Sequence, residues 1–241
     1  MARLQTERQY TACVRSTLCK PCATSLATAS ILTTVSAAPA LVQVHGVEMA
    51  TCDTLTADSQ KIPIFVKARP GSTVANSLLS QAVGNLVILT GDLQLDEEGN
   101  LPALTLRSLC KGYPEQFLNE VAVTGRLSGQ IREAEKSDST SIAVNRTENG
   151  AEKVDWFRVR VFGLNRERLN DAPKGALATA SGILEMRTSK DDKPFVEIKT
   201  RVLHLHAKPR GHDAAEGKEA AGYASADFDG SDAPAMPADW G

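Results

Sequence analysis

Residues 155–163, DWFRVRVFG, alternate large apolar side chains with aromatic and basic ones. In a β-strand, successive side chains point to opposite faces, so this stretch predicts two different surfaces. One surface is an ordinary core stripe of Phe157, Val159 and Val161, and the other carries Trp156, Arg158, Arg160 and Phe162. Rings beside guanidinium groups suit flat, negatively charged ligands, because bases stack on the rings while arginines bind phosphates. The alternative is that Trp156 and Phe162 cover a second core or a subunit contact.

The composition allows one large domain or two small ones, since 42% of the 241 residues are hydrophobic. The formal net charge of −2 hides an uneven distribution. Residues 117–206 contain 15 Lys and Arg against 13 Asp and Glu, whereas residues 207–241 contain 3 against 7. A mildly basic middle with an acidic tail fits a nucleic-acid-binding protein, although an evenly solvated surface gives a similar distribution.

Signals for metal, redox and enzyme chemistry are weak. The five cysteines include one CxxC pair, Cys19 and Cys22, with no second pair to complete a zinc site. We therefore expect reduced thiols with no metal and no cofactor, a redox role of the pair being the minor alternative. The four histidines lie in no nucleophile or metal motif, which predicts that the protein is not an enzyme. No apolar run is long enough to cross a membrane.

Residues 1–26 form a basic leader with many small polar residues. Arg3, Arg8, Arg15 and Lys20 face a single acid, Glu7. This composition fits an organellar transit peptide, and equally a start codon assigned too far upstream. We expect the leader to be disordered, and we expect a cytoplasmic, nucleoid-associated protein unless the leader directs it to an organelle.

The remaining chain repeats one β-rich pattern. Each copy reads as three strands, a short helix, a strand bounded by glycines, a charged turn and a last strand. Gly84 and Gly91 have the same seven-residue step as Gly175 and Gly182, and segments 65–84 and 157–175 differ in length by one residue. About five strands per copy, with the helix between the third and fourth, predict an all-β chain of two tandem five-stranded Greek-key barrels of the oligonucleotide/oligosaccharide-binding (OB) type.

The second copy resembles the bacterial single-stranded DNA-binding proteins. The matching blocks, in the family's order and near its spacing, are residues 121–127, 141–146, 155–163 and 174–184. This resemblance implies that residues 117–206 form a DNA-binding OB module. Residues 27–110 then form a diverged copy that lacks a tryptophan and is structural or a weak binder.

The resemblance also implies particular binding residues. Trp156 matches a tryptophan on which the family stacks bases, and Phe162 stands where the family has an aromatic residue. Phe195 could stack on a base or pack within the protein. The candidate phosphate contacts are the basic residues Arg126, Arg158, Arg160, Arg187, Lys190 and Lys193.

Residues 207–241 predict a disordered acidic tail, since they are rich in Gly, Ala and Asp and show no periodicity. The family docks replication and repair proteins through an acidic tip with a terminal apolar residue. The similar residues here are Asp227, Phe228, Asp229, Asp239 and Trp240. A merely solubilising tail is the alternative. Family chains with two modules form dimers, which implies a homodimer with four barrels.

The expected function is sequence-independent binding and protection of single-stranded DNA in replication, recombination and repair, with partner recruitment through the tail. Two alternatives stay open. One is an accessory OB module of a primosome-like assembly, which would contact proteins more than DNA. The other is an RNA-binding regulator, which would use 2′-hydroxyl groups.

Overall fold

A computed structural model describes residues 26–96, 99–148 and 151–206, and these ranges form two closed β-barrels. The predicted tail, with its five candidate partner-binding residues, lies outside the described residues, as does the predicted leader up to residue 25. Leu26, which we assigned to the leader, opens the first strand.

The first barrel consists of β1 (Leu26–Val35), β2 (Ala40–Val44), β3 (Val47–Thr56), β4 (Pro63–Ala68), α1 (Thr73–Leu79), β5 (Leu86–Leu95) and β6 (Pro102–Lys111). Antiparallel pairs join β1 to β3 and β5, β3 to β4, and β5 to β6. A parallel pair of β4 and β6 closes the ring. Strand β2 extends one end of β3 as a hairpin.

The second barrel consists of β7 (Asn119–Leu127), β8 (Arg132–Glu133), β9 (Asp138–Glu148), β10 (Ala151–Val161), α2 (Leu164–Asn170), β11 (Leu177–Thr188) and β12 (Pro194–Leu205). The same ring of pairings recurs, with β7, β9, β10, β12 and β11 in the places of β1, β3, β4, β6 and β5. Each helix lies between the third and fourth barrel strands. The predicted fold, two tandem five-stranded barrels of OB type, is confirmed.

Period-two alternation of side chains explains why these strands close around two cores. Strand β5, for example, alternates half-buried and buried residues along its whole length. Among the inward side chains, Leu89 and Leu104 in the first barrel and Ile142 and Leu184 in the second are at most 1% exposed. Burying such a side chain stabilises the fold by about 1.5–3 kcal/mol relative to leaving it exposed. The cores thereby fix which residues each strand turns outward.

Two glycines per barrel have matching structural roles. Gly84 and Gly175 begin the glycine step with positive φ angles of 89° and 74°, which favour glycine. Gly91 and Gly182 are the second glycines of the step and lie at β-bulges. There the register shifts between β5 and β6 and between β11 and β12. A Cβ atom at Gly182 would collide with a backbone carbonyl oxygen of β12, and one at Gly91 with the equivalent oxygen of β6. The repeated spacing in the sequence therefore marks a repeated backbone feature.

The two barrels are joined by antiparallel pairing of β1 with β7. Ala29 lies opposite Gly91, and Val121 lies opposite Gly182, so Ala29 and Val121 are counterparts in the two barrels. In the β1–β7 ladder these two residues are also direct partners. A local two-fold axis therefore passes between them, and β5, β1, β7 and β11 form one continuous four-stranded surface.

Polar contacts reinforce this junction, and one of them, from Lys67 to Glu148, belongs to a cluster of charged side chains. The carboxylate of Glu148 binds Lys67 of the first barrel at 3.2 Å, and Arg146 and Lys153 of the second at 2.7 Å each. Burial would raise the pKa of Glu148, but hydrogen bonds from these three cations hold it well below its usual range. We call these four residues the Glu148 cluster. Further contacts join Asp58 to Asn119, Gln60 to Met186, and Asn100 to Val196.

Candidate nucleic-acid interface

Strand β10 turns its two kinds of side chain to opposite faces, as its alternation predicts. Phe157, Val159 and Val161 are at most 2% exposed and line the core of the second barrel. Trp156 and the arginines that follow it at two-residue steps are half-buried on the outer surface. The β10 face comprises Phe162 and outward residues of β10, of its partner strand β12 and of β11 on the far side of β12: Trp156, Arg158, Arg160, Phe162, Phe195, Glu197, Lys199, Glu185 and Arg187.

Arg160 is held by two carboxylates of the β10 face. Its guanidinium nitrogen Nη2 donates to Glu185 Oε2 at 2.6 Å and lies 2.8 Å from Glu197 Oε1. Glu185 also pairs with Lys199 at 3.0 Å, and Glu197 also pairs with Arg187 at 3.5 Å. Burial raises the pKa of Glu197, and the positive charges of Arg160 and Arg187 oppose that rise. With its side chain only 15% exposed, Arg160 mainly neutralises glutamates.

Arg158 has a different environment. Its guanidinium carbon lies 4.3 Å from the centroid of the Phe195 ring, in the geometry of a cation–π contact. Burial and, to a smaller extent, the nearby positive charge of Arg132 lower the pKa of Arg158 to about 10, against the attraction of Glu197. Arg158 stays charged at neutral pH, and its contact with an aromatic ring distinguishes it from Arg160, which binds two glutamates.

The balance of charges leaves the β10 face positive. Two carboxylates share it with four cations, which are Arg158, Arg160, Arg187 and Lys199. The formal charges of these groups sum to about +2 at neutral pH. An excess of this kind attracts phosphate groups, and salt screens the attraction. The β10 face can therefore bind a polyanion while its rings remain neutral partners for flat groups.

The three aromatic rings of the β10 face differ in access. Trp156 is half-buried beside the small residue Ala143 of the neighbouring strand. Phe162 is half-buried beneath Arg160 and Lys199, whose charged groups lie 5.3 Å and 6.0 Å from its centroid. Phe195 is only 9% exposed under Arg158, which favours the packing alternative for that ring.

The remaining predicted phosphate contacts lie at the margins of the β10 face. Arg126 is exposed on β7, where it pairs with Ala143 and donates to the carbonyl oxygen of Gly175 at 3.0 Å. Lys190 and Lys193 are exposed at the turn between β11 and β12, beyond the glutamates. The structure therefore gathers Arg158, Arg160 and Arg187 around Trp156 and leaves the two lysines at the end of a hairpin.

Our sequence analysis missed two cations. Lys199 follows Phe195 and Glu197 at two-residue steps along β12, so the alternation of that strand could have identified it. Arg132 stands on the two-residue strand β8, which is too short to give a periodic signal. Its closeness to Arg158 depends on how the connection between β7 and β9 folds.

The first barrel offers a poorer version of this face. Val66 pairs with Leu104 in the first barrel as Val159 pairs with Ile198 in the second. Leu104 and Ile198 each lie two residues before the residue that pairs with the bulge glycine, so the two pairs occupy equivalent places. Pro63, Phe65 and Lys67 consequently stand where the second barrel has Trp156, Arg158 and Arg160. Our sequence comparison matched Phe65 to Phe157, which is wrong by one position. Phe65 is an outward residue, 38% exposed, whereas Phe157 lies in the core.

Neither a metal cluster nor a membrane-spanning helix is found where the structure describes the chain. No group of three or more His, Cys, Asp or Glu residues in residues 26–96, 99–148 and 151–206 could hold a metal ion. In the same residues no helix has the length and apolar character to span a membrane.

Comparison with known proteins places the fold. No protein-family model and no curated protein matches the chain. A deletion mutant of the single-stranded DNA-binding protein from Thermus aquaticus matches 79% of this chain and 99% of its own, with a TM-score of 0.57 and 15% identity. The wild-type protein matches 83% and 98%, with a TM-score of 0.55 and 15% identity.

A Plasmodium falciparum single-stranded DNA-binding protein, solved with single-stranded DNA, matches 39% of this chain and 98% of its own at 25% identity. Its TM-score of 0.32 is too low to carry an argument. The Thermus matches extend over both barrels. Because the sequences are only 15% identical, these matches show a shared fold and nothing more. The chain has the fold of the Thermus single-stranded DNA-binding protein, which confirms at the level of fold the resemblance predicted from the sequence.

Proposed function

We propose that the protein belongs with the single-stranded DNA-binding proteins and coats single-stranded DNA without sequence preference through the β10 face. The observation that carries this proposal is the placement of Trp156 beside Arg158 on a face with more cations than carboxylates. The fold shared with the Thermus protein, which is named for binding single-stranded DNA, adds support. In cells the protein would protect strands exposed in replication, recombination and repair.

The chemistry of the β10 face accounts for binding without sequence preference. Every base has a π-face that can stack on Trp156, and every nucleotide has a phosphate that an arginine can neutralise. The affinity therefore falls as salt rises, because neutralised phosphates release their counterions. The first barrel, with Pro63 in the place of Trp156, binds weakly or serves the structure.

The test uses the full-length chain with Trp240→Phe, which leaves Trp156 as the single tryptophan. We expect oligo-dT to quench its fluorescence strongly at low salt and less at high salt. Calorimetry then compares the native protein with Trp156→Ala, which should bind about 5- to 150-fold more weakly, the loss expected for one stacked base. Tyr113→Ala removes an aromatic ring that is 51% exposed between β6 and β7, and it serves as the control.

Different outcomes separate this function from the alternatives. If the native protein neither changes fluorescence nor releases heat with oligo-dT at low salt, DNA coating is wrong and an assembly module becomes the better account. Tighter binding of oligo-U than of oligo-dT would instead identify an RNA-binding protein, since recognition of the 2′-hydroxyl distinguishes the two polymers.

Two finer parts of the proposal concern partners. We propose that residues 207–241 recruit replication and repair proteins through Asp227, Phe228, Asp229, Asp239 and Trp240. Deleting those residues should preserve DNA binding and abolish binding of such partners. We also propose a homodimer with four barrels, for which light scattering should give twice the mass of one chain.

A further inference from the structure

The hairpin of β2 and β3 projects from the first barrel with one apolar face. Residues 40–49 are exposed or half-buried along both strands. Val42 is the register partner of Met49, and Val44 is the partner of Val47. Direct partners in an antiparallel pair point to the same face, so these four side chains form one stripe. Val42 and Val47 are 45% and 46% exposed. The core of the barrel therefore leaves this stripe largely uncovered.

The outer edge of β2 presents backbone groups that can bind another strand. The turn residues His45 and Gly46 have positive φ angles of 50° and 79°, as in a tight two-residue hairpin. In such a hairpin the residues that flank the turn exchange hydrogen bonds, and bonded and non-bonded pairs alternate from there. Leu41 and Gln43 consequently turn their N–H and C=O groups away from β3. Among the residues that the structure describes, β2 pairs with β3 alone.

The two ends of the sheet differ in their protection against such pairing. In the described part of the chain the strand order runs from β2 to β8. Strand β8 consists of Arg132 and Glu133, and short, charged edges resist pairing. Strand β2 has five residues, reads ALVQV and contains neither a charge nor a proline. No like charges therefore oppose the approach of an identical strand.

A second copy of β2 fits this edge by symmetry. With a two-fold axis at Val42, Leu41 of one copy lies opposite Gln43 of the other, and Val42 lies opposite itself. Leu41 and Gln43 carry the outward backbone groups, so each of these groups meets a partner in the antiparallel ladder. The apolar stripes of the two hairpins then join on one face. The edge is thus complementary to itself in backbone pairing, side-chain polarity and charge.

This contact is too small to hold two molecules together in free solution. Two paired strands of five residues bury far less than the about 1,200 Å² at which stable complexes begin. Two copies bound to one DNA strand, by contrast, meet at an effective concentration of about a millimolar. The pairing should therefore form between neighbours on DNA.

We propose that β2 pairs antiparallel with β2 of the next copy of this chain on the same DNA strand and thereby makes coating cooperative. This inference rests on the proposed function and deepens it, since it names the surface and the partner through which the coat extends. The contact is distinct from the proposed homodimer, whose mass in solution does not depend on it.

The experiment compares binding of the full-length protein to a short oligo-dT, which accommodates one assembly, and to a long oligo-dT, which accommodates several. By calorimetry we expect each neighbour on the long strand to bind on the order of ten-fold more tightly than the protein on the short strand. Val42→Lys should abolish this gain, because the two-fold axis places two like charges directly opposite each other. The mass of the free protein, measured by light scattering, should stay unchanged.

Val47→Lys is the matched control. It adds the same charge to the same face of the hairpin, at a position that is 46% exposed where Val42 is 45% exposed. Because Val47 lies on β3, away from the pairing edge, this variant should keep the native gain on the long strand.

An engineered disulfide tests the register of the pairing. In a non-hydrogen-bonded antiparallel pair the Cα atoms are about 4.5 Å apart, a distance that a disulfide spans. With long oligo-dT and a mild oxidant, Val42→Cys should form a bridge between two copies, which peptide mapping locates at that position. Val47→Cys should form none, because three strand spacings, about 14 Å, separate its two copies.

Several results would overturn the inference: a native gain in Val42→Lys, an equal loss of the gain in both lysine variants, or bridges at both cysteine positions or at neither. Native protein that binds the long strand without any gain would do the same. A changed affinity of both lysine variants for the short strand would mean that the hairpin contacts DNA and not a second copy. Absence of oligo-dT binding by the native protein would instead overturn the proposed function, and this inference with it.

Discussion

Arg160 and Arg158 illustrate what determines the role of a single residue on a strand. Both point outward, and the alternation of β10 is sufficient to predict this. The glutamates and the ring come from β11 and β12, which are distant in sequence. The sequence therefore could not show that Arg160 binds two glutamates while Arg158 lies over a ring. The orientation of a strand side chain follows from the local sequence pattern, whereas the groups that contact its charge depend on the tertiary structure.

Removing Arg160 should destabilise the protein in a pH-dependent way. We expect Arg160→Gln to lower the free energy of unfolding at pH 7 by about 1–3 kcal/mol, because two largely buried carboxylates lose their shared donor. Burial already raises the pKa of Glu197, and loss of Arg160 raises it further. A carboxyl group with a raised pKa in the folded state gains stability as the pH falls through that pKa, so the deficit should shrink towards pH 4.

Urea unfolding at several pH values measures this deficit. Arg201→Gln, at an exposed position of the same β12 strand, is the control and should behave like the native protein. A deficit that stays constant from pH 7 to pH 4 would show that Arg160 acts by packing and not through the glutamates.

Cys52 should be chemically inert in the folded protein. Its thiol is 3% exposed, and burial, together with the negative charge of Asp53, raises its pKa to about 11. Since the thiolate is the reactive form, we expect Cys52 to resist iodoacetamide at pH 8 under native conditions, while the exposed Cys110 reacts. Peptide mapping by mass spectrometry distinguishes the two sites. Equal labelling of both would mean that the first barrel opens on the timescale of the reaction.

At the scale of elements, most strands were predictable from the sequence, and the two-residue strand β8 was not. The glycine steps marked the positions of β5 and β11, but the predicted strand ends at Gly91 and Gly182 were wrong. Both strands continue, to Leu95 and Thr188, because the second glycine of each step lies at a bulge inside the strand. Strand β8 has only two residues, and no periodic pattern can reveal it. The error of one position at Phe65 arose because an apolar residue before Val66 looks like core in sequence, although it faces outward.

The bulge in the second barrel should not tolerate a side chain at Gly182. In Gly182→Ala the new methyl group would collide with the carbonyl oxygen of Lys199, so the strand must shift. We expect a loss of about 1–3 kcal/mol, the usual cost of overpacking. Thermal unfolding of this variant beside Ser181→Ala, its half-buried neighbour, isolates the effect of the bulge. Equal stability of the two variants would show that the β11–β12 pair relaxes freely.

At the scale of the whole molecule, the β1–β7 ladder and the Glu148 cluster make one body from two barrels. The repeat itself could be predicted from the glycine spacing, but the pairing of first strands could not. Nothing in either strand specifies that Ala29 pairs with Val121 rather than with another chain. Likewise, Lys67 and Glu148 are 81 residues apart, and only the assembled barrels bring them together.

Breaking the Glu148 cluster should weaken the joined barrels. We expect Glu148→Gln to lower the free energy of unfolding at pH 7 by about 1–3 kcal/mol, since three cations lose their charged acceptor. The folded-state pKa of Glu148 is depressed, so its contribution is present above its ordinary pKa of 4.5 and declines as the pH falls below that value. The difference from the native protein should therefore shrink in acid.

Urea unfolding at pH 7 and pH 3 measures both parts of this prediction. Glu152→Gln changes an exposed carboxylate on the neighbouring strand and should have little effect. If the two variants unfold alike at pH 7, the cluster contributes no net stability to the junction.

The local two-fold axis between Ala29 and Val121 has an evolutionary consequence. In an assembly of identical barrels, every mutation appears on all copies at once, so a change that harms one surface harms every surface. When two barrels lie in a single chain, a mutation changes one barrel and leaves the other unchanged. The bulge glycines persist in both halves because each backbone needs its own, whereas Pro63 and Trp156 diverged at the same position. Under the proposed function, this independence lets the first barrel serve as a scaffold while the second binds DNA.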